Sequence, residues 1–289
     1  MLAARGNDVD PKRLAGTHVF DQKVDGVRAL LYWDGTHLSL VGRDGTDYTA
    51  KFPEIRMSGK PLILDGELVA DDERFATVAR RTKLGASNTG QAAVDTPCSF
   101  VAFDVLQLSQ NPIMQLPYIE RRDVLERLEP RLNRVSGGRI RITKVSDDPG
   151  IVHIARAAGL EGVIAKKIDS PYVPGSRGTR WIKIKNTHRI TAIATGYTPG
   201  DGRLVGALEI ALFDAATIVS IGRVGAGFSA AEMRFLKQEL DAMRPVLVEI
   251  EMLNVGQNKQ MRSGVYVGLC SDKTLADASV AQLKEIPNY

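Results

Sequence analysis

The distribution of apolar residues changes near residue 188, and no other feature of the sequence constrains the fold as strongly. Before this point, strand-like segments alternate with helix-like segments, which is typical of an α+β domain with antiparallel sheets. After it come five strand-like segments and one helical segment, a content that suits a small barrel of the oligonucleotide-binding (OB) type. The length of 289 residues also suits two domains. We therefore predict domains over 1–187 and 188–289.

Local patterns place the individual elements. Asp34-Gly35 separates two apolar segments, as in a hairpin turn. Met233, Leu236, Leu240 and Met243 recur at steps of three and four, which predicts the one helix of the second domain. The other predicted helices are 75–83, 117–129 and 151–158. Strands are predicted at 18–23, 27–33, 37–41, 61–69, 99–108, 162–167, 181–185, 191–195, 207–213, 218–224, 245–253 and 265–269, with a loop at 197–203. The apolar run 61–69 is broken by Asp65-Gly66-Glu67.

Composition excludes several classes of protein. No apolar run approaches the length of about 18 residues that a transmembrane helix needs, and the first residues lack the apolar core of a signal peptide. The two cysteines, Cys98 and Cys270, form no Cys-x-x-Cys pair, which argues against a disulfide framework or a structural zinc site. There is no Walker-A loop or Rossmann fingerprint. We expect a monomeric cytoplasmic protein that does not bind membranes.

Charged residues lie at the ends of strands, or within them, in five separate segments. Charges at such positions cost free energy unless they are paired or used. In the last segment, Lys183 and Lys185 alternate with apolar residues, so both lysines point to one face of the strand. Several such sets together indicate a site for phosphates and a metal ion. The segments are Lys23-Val-Asp-Gly-Val-Arg28, Asp65-Gly-Glu-Leu68, Phe103-Asp104, Glu161-Gly-Val-Ile164 and Trp181-Ile-Lys-Ile-Lys185.

This ordered series resembles the motifs of the ATP-dependent DNA ligases, within the covalent nucleotidyltransferase superfamily. The likeness is closest to the small bacterial repair ligases and to the ligase module of bacterial end-joining proteins, and it covers about residues 15–275. It implies a nucleotidyltransferase domain with ATP-grasp-like antiparallel sheets, followed by an OB-fold β-barrel. In the second domain it rests on Gly196-Tyr-Thr-Pro-Gly-Asp-Gly-Arg203, Gly222-Arg-Val-Gly-Ala-Gly-Phe228 and Gly268-Leu-Cys-Ser-Asp-Lys273.

Lys23 is the predicted nucleophile. An amine attacks the α-phosphate of a nucleotide only in its neutral form, which is about one molecule in a thousand near pH 7.4 and corresponds to a deficit of roughly 4 kcal/mol. Desolvation and nearby cations favour the neutral form, and Lys183, Lys185 and a divalent metal are the candidate cations. The same cations would stabilise charge that develops on the α-phosphate. The alternative is a solvated lysine at a strand end.

The resemblance implies roles for further residues. Glu161 and Glu67 would bind Mg²⁺ or Mn²⁺, with Glu67 near the ribose, and the alternative for both is pairing with nearby lysines. Phe103 would stack on adenine, and its alternative is a place in the core. The residues that match nucleotide-contacting positions are Asp21, Arg28, Arg177, Lys183 and Lys185, while Arg43 matches an arginine that engages nucleotide or nick phosphate.

The chain departs from the family pattern at two positions. Asp21 stands where the ligases have glutamate, and its shorter side chain changes the expected adenine contact. Cys270 replaces the arginine of the last motif, of which Asp272 and Lys273 remain, and this places the efficiency of self-adenylylation in doubt. Arg262 is a candidate to compensate for the missing cation.

The predicted function is ATP-dependent sealing of nicked double-stranded DNA through lysyl-AMP and adenylated DNA. Only 22 residues precede Lys23, too few for the nicotinamide-binding domain of the NAD-dependent ligases, which favours ATP. Seven Lys or Arg residues between Lys166 and Arg189 predict a surface that follows the DNA backbone. An RNA ligase, a GTP-dependent capping enzyme and a catalytically impaired nucleic-acid-binding relative remain alternatives. The pathway, whether replication, recombination, excision repair, end joining or maintenance of a viral genome, stays open.

Overall fold

The computed structural model of the chain describes residues 1–6, 9–256 and 260–286. The chain divides into two compact units, Met1–Lys185 and Asn186–Tyr289. Among the described residues, no helix is both long enough and apolar enough to cross a membrane.

The first unit contains eleven strands and four α-helices among its described residues. In chain order the strands are β1 (Leu2–Arg5), β2 (His18–Gln22), β3 (Val27–Trp33), β4 (Leu38–Gly42), β5 (Leu62–Ala70), β6 (Cys98–Leu108), β7 (Asn111–Pro112), β8 (Ile140–Ile142), β9 (Val145–Ser146), β10 (Gly162–Lys167) and β11 (Arg177–Lys185). The helices are α1 (Phe75–Arg81), α2 (Thr89–Asp95), α3 (Tyr118–Val135) and α4 (Ile151–Ala157).

These strands form two sheets, and both sheets are mixed. The first has the order β1-β11-β10-β2-β9, and the second has the order β4-β3-β5-β6-β7, with β8 also paired to β6. The pairs β1–β11 and β6–β8 are parallel, while the others are antiparallel. The prediction of antiparallel sheets is therefore wrong at these two strand pairs. The segment from β6 to β8 includes α3, the kind of crossover that a parallel pair requires.

Strand β5 runs without interruption through Asp65-Gly66-Glu67, where the sequence predicts a break in the strand. Side chains alternate along it, so Leu64 and Leu68 are buried in the core while Asp65 and Glu67 point to the opposite face. Gly66 lies on the core face, where an added Cβ would come within 2.5 Å of the Phe100 ring. The glycine therefore allows the core to close around a strand whose other face carries charge.

Helix α3 is longer than predicted, because it continues past Pro130 to Val135. Proline removes one backbone N–H donor and usually ends or kinks a helix. Here Leu125 and Leu132 are fully buried in the core cluster of the second sheet, and Leu128 packs against that cluster, so the apolar stripe extends across the proline. Packing of this stripe outweighs the lost hydrogen bond.

The second unit is built on one five-stranded antiparallel sheet of order β14-β13-β12-β15-β18. The predicted loop at 197–203 is wrong, because β12 and β13 continue to a tight turn at Asp201 and Gly202. The predicted helix is confirmed; Ser229 and Glu232 form a capping box at its start, and Leu236 is buried. The elements are β12 (His188–Gly200), β13 (Arg203–Asp214), β14 (Thr217–Val224), α5 (Ala230–Asp241), β15 (Val246–Met252), β16 (Asn254–Val255), β17 (Met261–Arg262) and β18 (Val265–Leu269).

Candidate active site

A cavity of about 120 Å³ lies between the two sheets of the first unit. Four residues predicted from the sequence line it, and they come from three different strands and one strand end. The lining residues are Ala3, Gln22, Lys23, Val24, Arg28, Glu67, Phe103, Ile164, Lys166 and Trp181. The fold therefore brings together Lys23, Arg28, Glu67 and Phe103, which are up to 80 positions apart in the chain.

Lys23 follows directly after β2 and faces Glu161, which directly precedes β10. The two strands are antiparallel neighbours, and the Lys23 N–H donates to the Gly162 carbonyl at 3.1 Å. The Lys23 ammonium forms an ion pair with one Glu161 oxygen, and the Lys185 ammonium lies 3.0 Å from the other oxygen. The ion-paired alternative for Glu161 is thus realised in this structure. Gly162 has φ +140° and would place a Cβ 2.1 Å from the Ile184 carbonyl, so only glycine fits there.

The charges of this group act on one another. Burial opposes ionisation of Glu161, but Lys23 and Lys185 outweigh it and hold the pKa of Glu161 below its usual value. Desolvation and the positive charge of neighbouring Lys185 and Arg177 lower the pKa of Lys183. The first unit therefore places three lysines around a single ionised carboxylate, a site with an excess of positive charge that suits a polyphosphate.

Glu67 is in a different electrostatic environment on the same cavity wall. Burial raises the pKa of Glu67 to about 8, although Lys23 and Arg28 oppose the rise. The carboxyl group is thus largely protonated near neutral pH and is able to donate as well as accept hydrogen bonds. This is consistent with a place beside sugar hydroxyl groups, and a cation arriving nearby would favour ionisation.

Arg28 is anchored by a carboxylate that the sequence analysis left without a role. Its Nε and Nη2 donate to the two Asp65 oxygens at 3.0 and 2.6 Å, and the Tyr172 hydroxyl donates to Asp65 at 2.8 Å. Burial opposes the Arg28 charge, but Asp65 raises the pKa of Arg28 above its usual value. Arg28 is therefore held rigidly, with its guanidinium 5.5 Å from the centre of the Phe103 ring.

Phe103 forms an aromatic wall of the cavity. Its ring is half-buried and meets the Trp181 ring edge to face, with centroids 5.9 Å apart at 82°. It packs against a small apolar cluster that includes Leu106 and Tyr172. Phe103 thus packs in a cluster and is also exposed to the cavity, and its stacking on adenine stays a prediction.

Asp21 and Lys166 lie beside this wall. Asp21 is buried and is not among the residues that line the cavity, and its carboxylate is 2.6 Å from the Lys166 ammonium. Lys166 is 1% exposed, so its inclusion in a solvent-facing DNA surface is wrong. In the same stretch Arg177, Arg180 and Arg189 are exposed.

The remaining predicted residues are not among those that line this cavity. Arg43 is exposed and lines a second cavity of about 590 Å³ in the first unit, which shares Arg28 with the first cavity. Arg177 opens β11 and donates to the Ala3 carbonyl at 3.3 Å. Arg262, Asp272 and Lys273 belong to the second unit, where Arg262 is in β17 and the other two follow β18 on the surface.

Four residues that support the site had no role assigned from the sequence, although Asp65 and Asp104 belong to the charged segments identified there. Asp104, adjacent to Phe103, is held by two hydrogen bonds from Arg121 at 2.8 and 2.9 Å, and both side chains are fully buried. Asp65 and Asp104 stood inside apolar strand segments, which was a usable signal for buried charge pairs. Tyr172 and Arg121 lack such a signal, because each lies in a polar part of the sequence, outside the apolar strand segments.

The carboxylates fit a magnesium ion only with help from a substrate. Among the described residues, no group of three His, Cys, Asp or Glu side chains gathers into a metal site. Glu161 and Glu67 are close enough to influence each other's ionisation, and both offer hard oxygen ligands. Mg²⁺ commonly takes one or two carboxylates and completes its shell with water and substrate phosphates. The pair therefore suits a metal that arrives with a nucleotide.

Comparison with known proteins identifies the family. Residues 1–185 match the family model of the ATP-dependent DNA ligase domain, which is more than half of the chain, and the chain belongs to this family. The match ends where the first compact unit ends.

Individual relatives agree with this assignment. The chain is 31% identical over 277 residues to the multifunctional non-homologous end joining protein LigD of Mycolicibacterium smegmatis, covering 92% of this chain and 34% of LigD. It is 30% identical over 251 residues to DNA ligase C1 of the same species, covering 80% of this chain and 69% of that protein. Among solved structures, mycobacterial DNA ligase D complexed with ATP and MES is 26% identical, with a TM-score of 0.52 and 96% of each chain covered. The chain thus spans about a third of the length of LigD.

Proposed function

We propose that the chain is the catalytic module of an ATP-dependent DNA ligase, and that Lys23 carries the adenylate. The observation that carries the proposal is the place of Lys23 at the cavity, paired with Glu161 and close to a second lysine on the same carboxylate. A non-catalytic nucleic-acid-binding protein would not need a lysine at the cavity in contact with a buried carboxylate. The presence of ATP in a structural relative that covers 96% of this chain supports the choice of nucleotide.

The first step is transfer of AMP to the enzyme. The base would lie against Phe103, the ribose would lie near Glu67, and the phosphates would extend toward Lys183 and Lys185. A lysine ammonium has no free electron pair, so Lys23 must leave the Glu161 ion pair and lose a proton before attack. Its Nζ then forms a bond to the α-phosphorus, the bond to pyrophosphate breaks, and one proton is released. When bound by Glu161 and Glu67, Mg²⁺ would neutralise phosphate charge.

The later steps transfer AMP from Lys23 to the 5′-phosphate of a nick, after which the 3′-hydroxyl attacks that phosphate and displaces AMP. The same lysines would stabilise the charge that develops in each transfer, since preorganised cations contribute most where charge appears. Exposed Arg177, Arg180 and Arg189 would contact the DNA backbone. We also propose that the second unit, with its five-stranded antiparallel sheet and helix α5, is an OB-fold that also binds DNA.

Covalent labelling tests the proposal. Purified protein incubated with Mg²⁺ and ATP labelled at the α-phosphate should retain the label after denaturation, and should then seal a labelled nick in duplex DNA. Lys23→Ala should lose both activities, whereas Lys60→Met, which removes an exposed lysine of the second sheet's periphery, should retain them. Equal labelling of the Lys23→Ala protein would refute the assignment of the nucleophile. Preference for GTP, or sealing of RNA alone, would identify one of the related enzymes instead.

A further inference from the structure

Lys166 is a fully buried lysine that the proposed chemistry does not use. It lies on β10 with its side chain toward the cavity, opposite Trp181 on β11. Its ammonium is 2.6 Å from Asp21 and donates to the main-chain carbonyl of Phe103 at 2.8 Å. Burial of a lysine is unfavourable unless its charge is compensated, and an apolar residue of similar length would avoid that cost. The position of the ammonium therefore requires an explanation.

The ammonium bridges the two sheets at the aromatic end of the cavity. Asp21 belongs to β2 in the first sheet, and Phe103 belongs to β6 in the second. A single group thus links the two sheets beside the site where the base would bind. It also lies 4.4 Å from the centre of the Trp181 ring and 4.7 Å from that of Phe103, within the range of cation–π attraction.

Phe103 is consequently held at its own carbonyl group and at the next residue along the chain. Lys166 holds its carbonyl oxygen, and Arg121 holds the side chain of the next residue, Asp104. The Arg121–Asp104 pair is enclosed in the core, whereas Lys166 lines the cavity itself. Lys166 is therefore the contact best placed to determine the distance of the Phe103 ring from the opposite wall.

We propose that Lys166 is a positioning residue that, together with Asp21, fixes the position of the Phe103 ring against which the base would stack. Through this ring it would determine how strongly the site prefers a complete nucleotide to the same sugar and phosphates without a base. This inference rests on the proposed nucleotide site. Asp21 then has a role that differs from direct contact with the base, because its carboxylate is already engaged by Lys166. Its shorter side chain, compared with glutamate, accommodates the buried ammonium.

The test compares two triphosphates that differ only in the base. Covalent adduct formation from ATP and from ribose 5-triphosphate is measured by intact-protein mass spectrometry over a range of concentrations, for the wild type and for Asp21→Asn/Lys166→Met, which removes both buried charges together. The wild type should prefer ATP by about ten- to hundredfold in kcat/KM, the range expected for stacking of one base. The variant should fall to within about threefold of equality, through a higher KM for ATP, while the values for ribose 5-triphosphate stay within about threefold of the wild type.

Two further variants separate positioning from a general structural role. Phe103→Leu removes the wall directly, and adding it to the double variant should cause no additional loss of preference, because Lys166 acts through Phe103. Lys60→Met, an exposed position, should leave the preference unchanged. If the double variant does not fold, Lys166→Arg is used; it keeps the charge but replaces the compact ammonium with a planar group, and should lower the preference at least threefold.

The outcomes are distinguishable. Absence of any adduct in the wild type would refute the proposed function itself. A wild type that forms adducts, together with a folded Lys166 variant that keeps the full preference for ATP, would overturn the positioning role alone. An equal fall in kcat/KM for both triphosphates in that variant would also overturn the positioning role, because loss of a merely structural residue would impair the reaction of both substrates.

Discussion

The raised pKa of Glu67 makes a quantitative prediction about stability and pH. Burial raises the pKa from the ordinary 4.5 to about 8, so the folded protein retains a proton that the unfolded chain releases above about pH 4.5. Stability contributed by this proton is fully present below pH 4.5 and is lost as the pH rises toward 8, since the unfolded state binds fewer protons there. At about 1.4 kcal/mol for each pH unit, the loss approaches about 5 kcal/mol by pH 8.

Glu67→Gln tests this reasoning, because glutamine resembles the protonated carboxyl group. The free energy of unfolding is measured in urea at intervals from pH 5 to pH 9, without nucleotide or metal. As the pH rises, the value for the variant should increase relative to the wild type by up to about 5 kcal/mol, and the difference should level off above pH 8. Glu129→Gln, which removes an exposed carboxylate on α3, is the matched control and should give a curve parallel to the wild type. If the free energy of unfolding of the Glu67 variant also followed the pH dependence of the wild type, the raised pKa of Glu67 would be refuted.

Three further predictions concern the framework of the site. Arg121→Met should destabilise the protein by about 3–5 kcal/mol in urea unfolding, because it leaves the buried Asp104 carboxylate unpaired, and Asp104→Asn in the same chain should recover part of the loss. Gly66→Ala should cost about 1–3 kcal/mol, because the new methyl group meets the Phe100 ring and the Val101 carbonyl, and the loss should appear as a lower Tm; an unchanged Tm would show that both neighbours adjust without cost. Ser229→Ala removes the capping box of α5 and should cost about 0.5–2 kcal/mol, whereas Ser229→Asp should retain most of the stability in the same assay.

Local pattern predicted much of the secondary structure. The hairpin of β3 and β4 and the strand β10 follow the sequence closely, since their apolar residues are bounded by turn signals or by glycine. The errors arose where packing overrides local preference. β5 accommodates Asp65 and Glu67 because one of its faces is outside the core, and α3 continues through Pro130 because its apolar stripe still packs.

Residue types and their order determined the chemistry that this chain is able to perform. Lys23, Glu161 and the lysine pair on β11 are recognisable from sequence because charge in strand-edge positions is costly and therefore informative. The sequence also contained Lys166 and Asp104, but did not reveal their partners. Only the tertiary structure decided those partners, because pairing depends on which strands become neighbours and which sheet faces which. The same physical cause separates Glu67 from Glu161, since the pKa of Glu161 is lowered by its direct ion pairs with two lysines, whereas desolvation dominates at Glu67 and raises its pKa.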